Sequence, residues 1–189
     1  MSDKELLDRI RNKDQDAFKH LVGNYNSLVL NTCNSFLHNF EDAQDISQEV
    51  FIEVYKSIEK FRGESKISTW LYRISVNKSL NHIRKNKRNS IFQSIESIVW
   101  SQKNNIDNLS EIGESENDSE TNKRSKILYK AINSLPQNQR IAFTLSKLES
   151  MKYKKISEVM NVSISSVESL MFRAKKNLQK KLINIYKES

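Results

Sequence analysis

The sequence predicts an all-α protein of two small helical domains joined by a flexible linker, and three observations carry that reading. Its 189 residues include only 3 Gly and 1 Pro, which argues against a glycine-rich phosphate loop, a dinucleotide-binding turn and a many-turned all-β sandwich. Apolar residues recur in steps of three and four along most of the chain. The net charge of +8 is also unevenly placed: −5 over residues 1–59, +8 over 60–88, −6 over 89–122 and +11 over 123–189. Two basic modules with an acidic, Ser/Asn-rich stretch between them is the natural parse, with domains over 1–90 and 125–189 and the linker over 91–124. The linker tail, NNIDNLSEIGESENDSETN, has neither apolar periodicity nor aromatic residues, so it buries too little surface to offset its ordering entropy. The plainer parse is one helical domain with a single polar loop.

Each helix has its own signature. Ser2 and Glu5 form a capping box ahead of Leu6, Leu7 and Ile10, predicting a short first helix. Asp14 or Asp16 caps a second, with Phe18, Leu21, Val22, Tyr25, Leu28, Val29, Thr32, Phe36 and Leu37 on one face. From Asp42, the residues Ala43, Ile46, Val50, Val54, Ile58 and Phe61 make an inward stripe, while Asp45, Gln48, Glu49 and Ile52 make an outward one. A fourth helix runs from Ile67 to about Lys87, burying Ile67, Trp70, Leu71, Ile74, Leu80 and Ile83 after the turn Arg62-Gly63-Glu64-Ser65-Lys66. Beyond the linker, Ile127, Leu128, Ala131 and Ile132 predict a fifth, and Pro136 stands as the first residue of a sixth over 137–148 that buries Ile141, Ala142, Leu145 and Leu148.

Lys154–Met160, a turn at Asn161–Ile164 and a long helix from Ser165 to about Tyr186 complete the chain. A helix, a tight turn and a second helix with a basic outer face is the helix-turn-helix pattern, whose second helix enters the major groove of DNA. In that last helix Val167, Met171, Ala174, Leu178 and Leu182 form the buried stripe, and Ser165, Ser169, Phe172, Arg173 and Lys176 line the opposite face. An exposed Phe172 beside Arg173 suits a thymine methyl next to a guanine edge or phosphate. The alternative is that Phe172 packs as core.

The function classes narrow accordingly. A sequence pI near 9.5 favours a polyanionic partner. One cysteine, Cys33, makes no internal disulfide, and His20, His38 and His82 have no metal-ligand spacing, so a cytosolic protein without metal or other cofactor is expected. No apolar run reaches transmembrane length, and the start MSDKELLDRI is amphipathic, unlike a signal peptide.

The segment DAQDISQEVFIEVYKSIEKFRGESKISTWLYRISVN resembles region two of a bacterial RNA polymerase sigma factor, and SLPQNQRIAFTLSKLESMKYKKISEVMNVSISSVESLMFRAKKNL resembles region four. The two come in the right order with a short connection and no recognisable region three, the layout of the small extracytoplasmic-function group. The resemblance implies a protein that is not an enzyme, binds core RNA polymerase and brings it to promoter DNA. It implies that Asp45, Gln48 and Glu49 dock on the clamp helices of the polymerase's largest subunit; on residue type alone they are solvated surface. It implies further that Arg62, Gly63, Glu64, Ser65 and Lys66 form a pocket for a base pulled from the melted minus-ten element. A glycine lets backbone approach such a base. Asn77 matches a contact in the same element, and Trp70 is either a wedge at the duplex fork or a core residue. Lys78, Arg84, Lys85, Lys87 and Arg88 would grip phosphates, and Ser165, Ser166, Ser169, Phe172, Arg173 and Lys176 would meet the minus-thirty-five element. The linker would either mimic RNA in the exit channel or act as a tether, and an anti-sigma factor is an expected partner.

This chain departs from the family pattern at Glu168 and Leu170, where Lys or Arg is frequent, and at Asn161 and Ser163, where Gly and Pro are frequent. Asparagine tolerates the left-handed backbone that turn demands. The rival reading is a stand-alone helix-turn-helix regulator of duplex operators, which would have no use for residues 42–77. A hydrolase with metal bound along 41–53 needs inward-facing ligands, whereas Asp45 and Glu49 fall on the outward stripe.

Overall fold

The computed structural model describes the backbone of residues 3–101 and 120–188 and the side chains of residues 3–89 and 124–183. Within these residues the chain is helical with no strand: α1 (Asp3–Arg11), α2 (Gln15–Leu37), α3 (Phe40–Ser57), a 3₁₀ turn (Ile58–Lys60), α4 (Ile67–Ser101), α5 (Glu120–Asn133), α6 (Gln137–Lys147), α7 (Tyr153–Met160) and α8 (Ile164–Glu188). The Ser2 side of the expected capping box and residues 102–119 of the acidic linker lie outside the described residues, and α5 takes in the end of that expected linker.

Polar caps set the ends. Of the two candidate caps for α2, Asp14 is the one used: its Oδ1 accepts from the amides of Asp16 and Ala17, each at 3.0 Å. The Ala17 amide, then the Arg9 guanidinium, hold its carboxyl below the usual carboxylate range. The third helix begins two residues earlier than the apolar spacing predicts, because Asn39 caps it by accepting from the Asp42 amide at 3.1 Å. Pro136 sits one place outside α6, as its N-cap with extended ψ, since the fixed ring φ suits either position. The fourth helix runs on to Ser101, well past the expected Lys87; Ile91, Phe92, Ile95, Ile98 and Val99 keep a helical spacing there, with no Gly or Pro to break it.

The first domain is α2, α3 and α4 packed together with α1 across one end. Its core takes Leu6, Leu7, Ile10, Leu21, Val29, Ala43, Ile46, Val50, Val54, Ile58, Phe61, Ile67 and Leu71. Small residues let α2 and α4 approach closely: Thr32, Cys33, Ser75 and Ser79 are all fully buried. Thr32 and Ser75 donate to carbonyls one turn back in their own helices, Leu28 and Leu71, which removes most of the cost of burying a hydroxyl. Burial pushes the Cys33 thiol up to about 11, leaving it unreactive at neutral pH.

The second domain packs α6, α7 and α8 around Ile141, Ala142, Leu145, Ile156, Val159, Val167 and Met171, and α5 lies on α8 through Ala131, Ile132, Leu135, Ala174 and Leu178. Two expected core residues differ. Leu128 and Leu148 are each more than one-third exposed, because both fall at the edge of their helix's apolar stripe, where a partner on only one side reaches them. The two domains also touch, since Phe36, Val76 and Leu80 of the first join the cluster of the second.

Candidate polymerase and DNA interfaces

The outward stripe of α3 is present as a surface. Ala43, Ile46, Val50 and Val54 anchor one side of the helix in the core, which turns Asp45, Gln48 and Glu49 to solvent on the other. The stripe does not end with the acid and amide groups. Ile52 and Tyr55, one and two turns on, are about half exposed, and Phe40 at the helix start is 57% exposed. Tyr55 meets Phe18 of α2 edge to face at 5.1 Å, and together with Phe51, Ile52 and the stems of Lys19 and Lys56 they line a shallow hollow of about 450 Å³. Helical spacing carries the stripe from Ile52 to Tyr55 three residues on, while Phe40 is exposed at the first position of the helix. Lys78 differs from its expected phosphate-gripping role: it is largely covered and lies 3.6 Å from Glu49 and 3.5 Å from Glu53. Its charge is therefore directed to the α3 stripe.

The loop between the 3₁₀ turn and α4 is a second surface. Phe61 is buried and stacks on Trp70 at 4.5 Å with the rings 16° from parallel, so Trp70 supports the loop and is itself half-buried. Arg11 of α1 donates to the Phe61 carbonyl and pairs with Asp8 at 2.9 Å, fixing the loop entrance. Gly63 turns the chain with φ +75°, a backbone that a side chain would strain. Arg62, Glu64 and Lys66 then project into solvent, Arg62 and Glu64 being 3.9 Å apart, with Ser65 half-buried. Thr69 and Trp70 amides donate to the Lys66 carbonyl at 3.0 and 3.2 Å, which starts α4. An open cleft of about 820 Å³ lies over the loop, bordered by Arg11, Thr69 and Arg73, and by Glu158 and Asn161 of the second domain.

Asn77 is exposed two turns further along α4, in a smaller hollow of about 360 Å³ that it shares with Arg73, Gln137, Asn138 and Asn161. Arg11, Thr69 and Arg73 border the cleft over the loop, and sequence reasoning does not single them out. Arg73 carries a usable signal, since it is a cation one turn before Asn77. Beyond it Arg84, Lys85, Lys87 and Arg88 are all exposed on α4, with Arg84 donating to Asn81 at 2.8 Å.

The third surface is α8. Asn161 closes α7 in the left-handed region (φ 54°, ψ 51°), and the Val162 amide reaches back to the Ser157 carbonyl at 3.0 Å. Ser163 then caps α8: its Oγ accepts from the Ser166 amide at 3.1 Å and shares hydrogen bonds with the hydroxyls of Ser165 and Ser166 at 2.9 and 2.8 Å. Val167, Met171, Ala174 and Leu178 are buried, while Leu182 is half-buried. That register exposes Ser165, Glu168, Ser169, Phe172, Arg173 and Lys176, with Ser166 half-covered. Phe172 is 69% exposed, which rules out the core alternative for it. Arg173 donates from Nε to the Ser169 carbonyl at 3.2 Å, holding the guanidinium along the helix. Among the described residues no group of three His, Cys, Asp or Glu could hold a metal ion, and no helix is long and apolar enough to cross a membrane.

Residues 21–89 match the family model for sigma-70 region 2, and residues 125–178 match that for sigma-70 region 4. The chain is 33% identical to the ECF RNA polymerase sigma-E factor of Haemophilus influenzae, over 96% of both chains. It is 31% identical to that of Escherichia coli K12, over 96% of this chain and 95% of the relative. Among solved structures, CnrH in complex with the cytosolic domain of CnrY shares the fold with a TM-score of 0.63 at 18% identity, covering 96% of this chain and 97% of that one. The sigma factor RpoE of Bartonella quintana, in complex with the anti-sigma factor NepR, shares it with a TM-score of 0.54 at 20% identity, covering 87% and 96%.

Proposed function

The chain belongs to the extracytoplasmic-function sigma factors and directs promoter-specific transcription, and from that premise we propose how its surfaces divide the work. Residues 1–90 dock on core RNA polymerase and read the melted minus-ten strand, residues 91–124 connect, and residues 125–189 read the minus-thirty-five duplex. The protein carries out no chemical step; nucleotidyl transfer belongs to the polymerase, and the complex works in the cytoplasm. An anti-sigma protein is its expected antagonist, the role that NepR has for the Bartonella sigma factor.

One observation supports this division above the others: the stripe Asp45, Gln48 and Glu49 runs directly into exposed Ile52 and Tyr55. A regulator that only gripped duplex DNA would have no use for an acidic stripe that runs into exposed apolar side chains. Such a face suits a protein partner, because apolar area supplies affinity and the charged margin fixes orientation. The melted strand meets the loop over 62–66, where Arg62 and Lys66 answer phosphates and the Gly63 backbone accommodates a base. Asn77 reads a neighbouring base edge, and the basic run through Arg88 grips without reading. On α8, Ser169, Phe172 and Arg173 face bases, and Lys176 faces the backbone.

Reconstituted transcription tests the reading. The chain added to core polymerase should select a subset of genomic promoters, and Glu49→Lys should lower its affinity for core while leaving its melting temperature within a few degrees. Tight sequence-specific binding to duplex DNA by the chain alone, with no effect on polymerase, would replace this reading with the operator-binding one.

A further inference from the structure

We propose that Glu168 is a specificity residue of the minus-thirty-five face, its carboxylate accepting a hydrogen bond from the exocyclic amine of a cytosine; this rests on the reading of α8 given above. Glu168 is the only acidic residue of α8 before Glu188, in a helix that carries Arg173, Lys175, Lys176, Lys180 and Lys181. It is exposed and, among the described residues, makes no ion pair and no side-chain hydrogen bond. Neither of the usual structural uses of a helical carboxylate accounts for it. Ser163 caps α8, and Glu168 lies past the first turn, where a negative charge would answer the helix dipole. An ion pair along the helix needs a cation three or four residues away, and those positions hold Ile164, Ser165, Met171 and Phe172. On a face that approaches phosphates a bare carboxylate costs affinity through repulsion. A donor in the groove offsets that cost.

The register of α8 aims the carboxylate at base edges. Glu168 is the fifth residue of the helix, in the N-terminal part that reaches bases when a recognition helix enters the major groove. With 3.6 residues per turn it lies about 40° around the helix from Phe172 and about 140° from Arg173. The acid and the guanidinium therefore stand on opposite flanks of the reading face, and Arg173 is held on its own side by the Ser169 carbonyl at 3.2 Å. An ionised carboxylate only accepts hydrogen bonds. Guanine shows N7 and O6 in the major groove and thymine shows O4, all acceptors that repel it. Adenine offers the N6 donor with the N7 acceptor beside it, whereas the cytosine N4 donor has only the C5–H edge beside it. Cytosine is thus the base a carboxylate selects. Phe172, one turn on and 69% exposed, covers the next position, where a thymine methyl supplies apolar contact. The Glu168 flank reads a cytosine beside a thymine, and the Arg173 flank takes a guanine edge or a phosphate.

Binding of the holoenzyme to a promoter library randomised over the minus-thirty-five element tests the assignment, with Glu168→Ala, Glu168→Gln and Arg173→Ala beside wild type. The Glu168 site is exposed, so both of its variants should melt as wild type does. Wild type should prefer cytosine over every other base at one position by about tenfold, and Glu168→Ala should reduce that preference to about twofold or less. Glu168→Gln should move the preference to adenine, because an amide pairs with N6 and N7 together. Both should leave unchanged the position that responds to Arg173→Ala. An unaltered cytosine preference in Glu168→Ala overturns the assignment. So does tightening that is uniform over all sequences, which would make the carboxylate a source of backbone repulsion alone. Arg173→Ala tells this failure from that of the reading beneath it: if it still alters a base preference, only the role of Glu168 falls, and if no substitution on α8 alters any preference, the minus-thirty-five reading falls as well.

Discussion

In the loop over 62–66, four of five residues are exposed and only the ends are fixed, by Arg11 on the Phe61 carbonyl and by Phe61 on Trp70. In α8, four buried side chains hold the helix in register and a serine cap sets its start. The two proposed DNA readers thus differ in what is prepared before binding. The helix presents a stripe whose spacing is set by 3.6 residues per turn, matched to a duplex groove of fixed form. The loop faces a single strand with no fixed form, and its polar side chains have to arrange themselves around an extruded base. Rigidity suits the first task and adaptability the second, and substitutions can separate the two.

The largest expected effect is on the support of the helix. Met171 is 2% exposed in the second core, so Met171→Ala should cost about 2–5 kcal/mol of stability and lower the melting temperature of the second domain. Phe172 is its neighbour in sequence and its opposite in burial, and Phe172→Ala should change stability by no more than about 0.5 kcal/mol while weakening minus-thirty-five binding. Thermal melting beside a duplex-binding isotherm checks the pair. A large stability loss in Phe172→Ala would mean the exposed stripe is not free to read. Next in size, Arg173→Ala should cost about 1–3 kcal/mol of upstream-element binding if its guanidinium meets a guanine edge; a loss spread evenly over all duplex sequences would make it a phosphate contact.

On the loop side the expected effect is smaller. No atom lies within 4 Å of a methyl added at Gly63, yet its φ is +75°, so Gly63→Ala introduces backbone strain without a clash. That strain is about 1–2 kcal/mol. The loop should relax away from its present path, slowing promoter opening as read by permanganate reactivity, with minus-thirty-five binding unchanged. Equal loss at both elements would show that the loop and α8 are not independent readers.

Much of this comparison is legible in the sequence because helical periodicity by itself assigns each residue of a helix to a face. The inward stripe of α3, the buried stripe of α8 and the left-handed Asn161 follow from spacing and residue type. The resemblance of the two long segments to sigma regions supplies the family. What escapes depends on contacts between elements far apart in sequence. Arg11 reaches a carbonyl 50 positions away and Arg73 reaches one 86 away, and no local pattern marks either contact. Lys78 reads as a phosphate contact because it sits in a basic run, yet α3 places two carboxylates beside it. Leu128 and Leu148 keep the helical spacing but fall where the stripe runs out of partners.

The smallest expected effect lies between the two readers, on the exposed part of α4, and separates a base contact from general attraction. Asn77 is uncharged, exposed and set in a hollow beside Arg73; its amide offers both a donor and an acceptor to a base edge. Lys87 lies ten residues on, in the exposed basic run, where an ammonium can answer any phosphate regardless of the base beside it. Removing a phosphate contact releases about one fewer counterion, so Lys87→Ala should flatten the salt dependence of binding by about one unit and weaken all promoters alike. Asn77→Ala leaves charge unchanged, so the salt slope should stay as in wild type while preference relaxes at one minus-ten position. Affinities of the holoenzyme for a set of single-base minus-ten variants, each measured at several salt concentrations, give both readings at once. A changed slope for Asn77→Ala, or a shifted base preference for Lys87→Ala, would exchange the two roles and move the boundary between reading and gripping along α4.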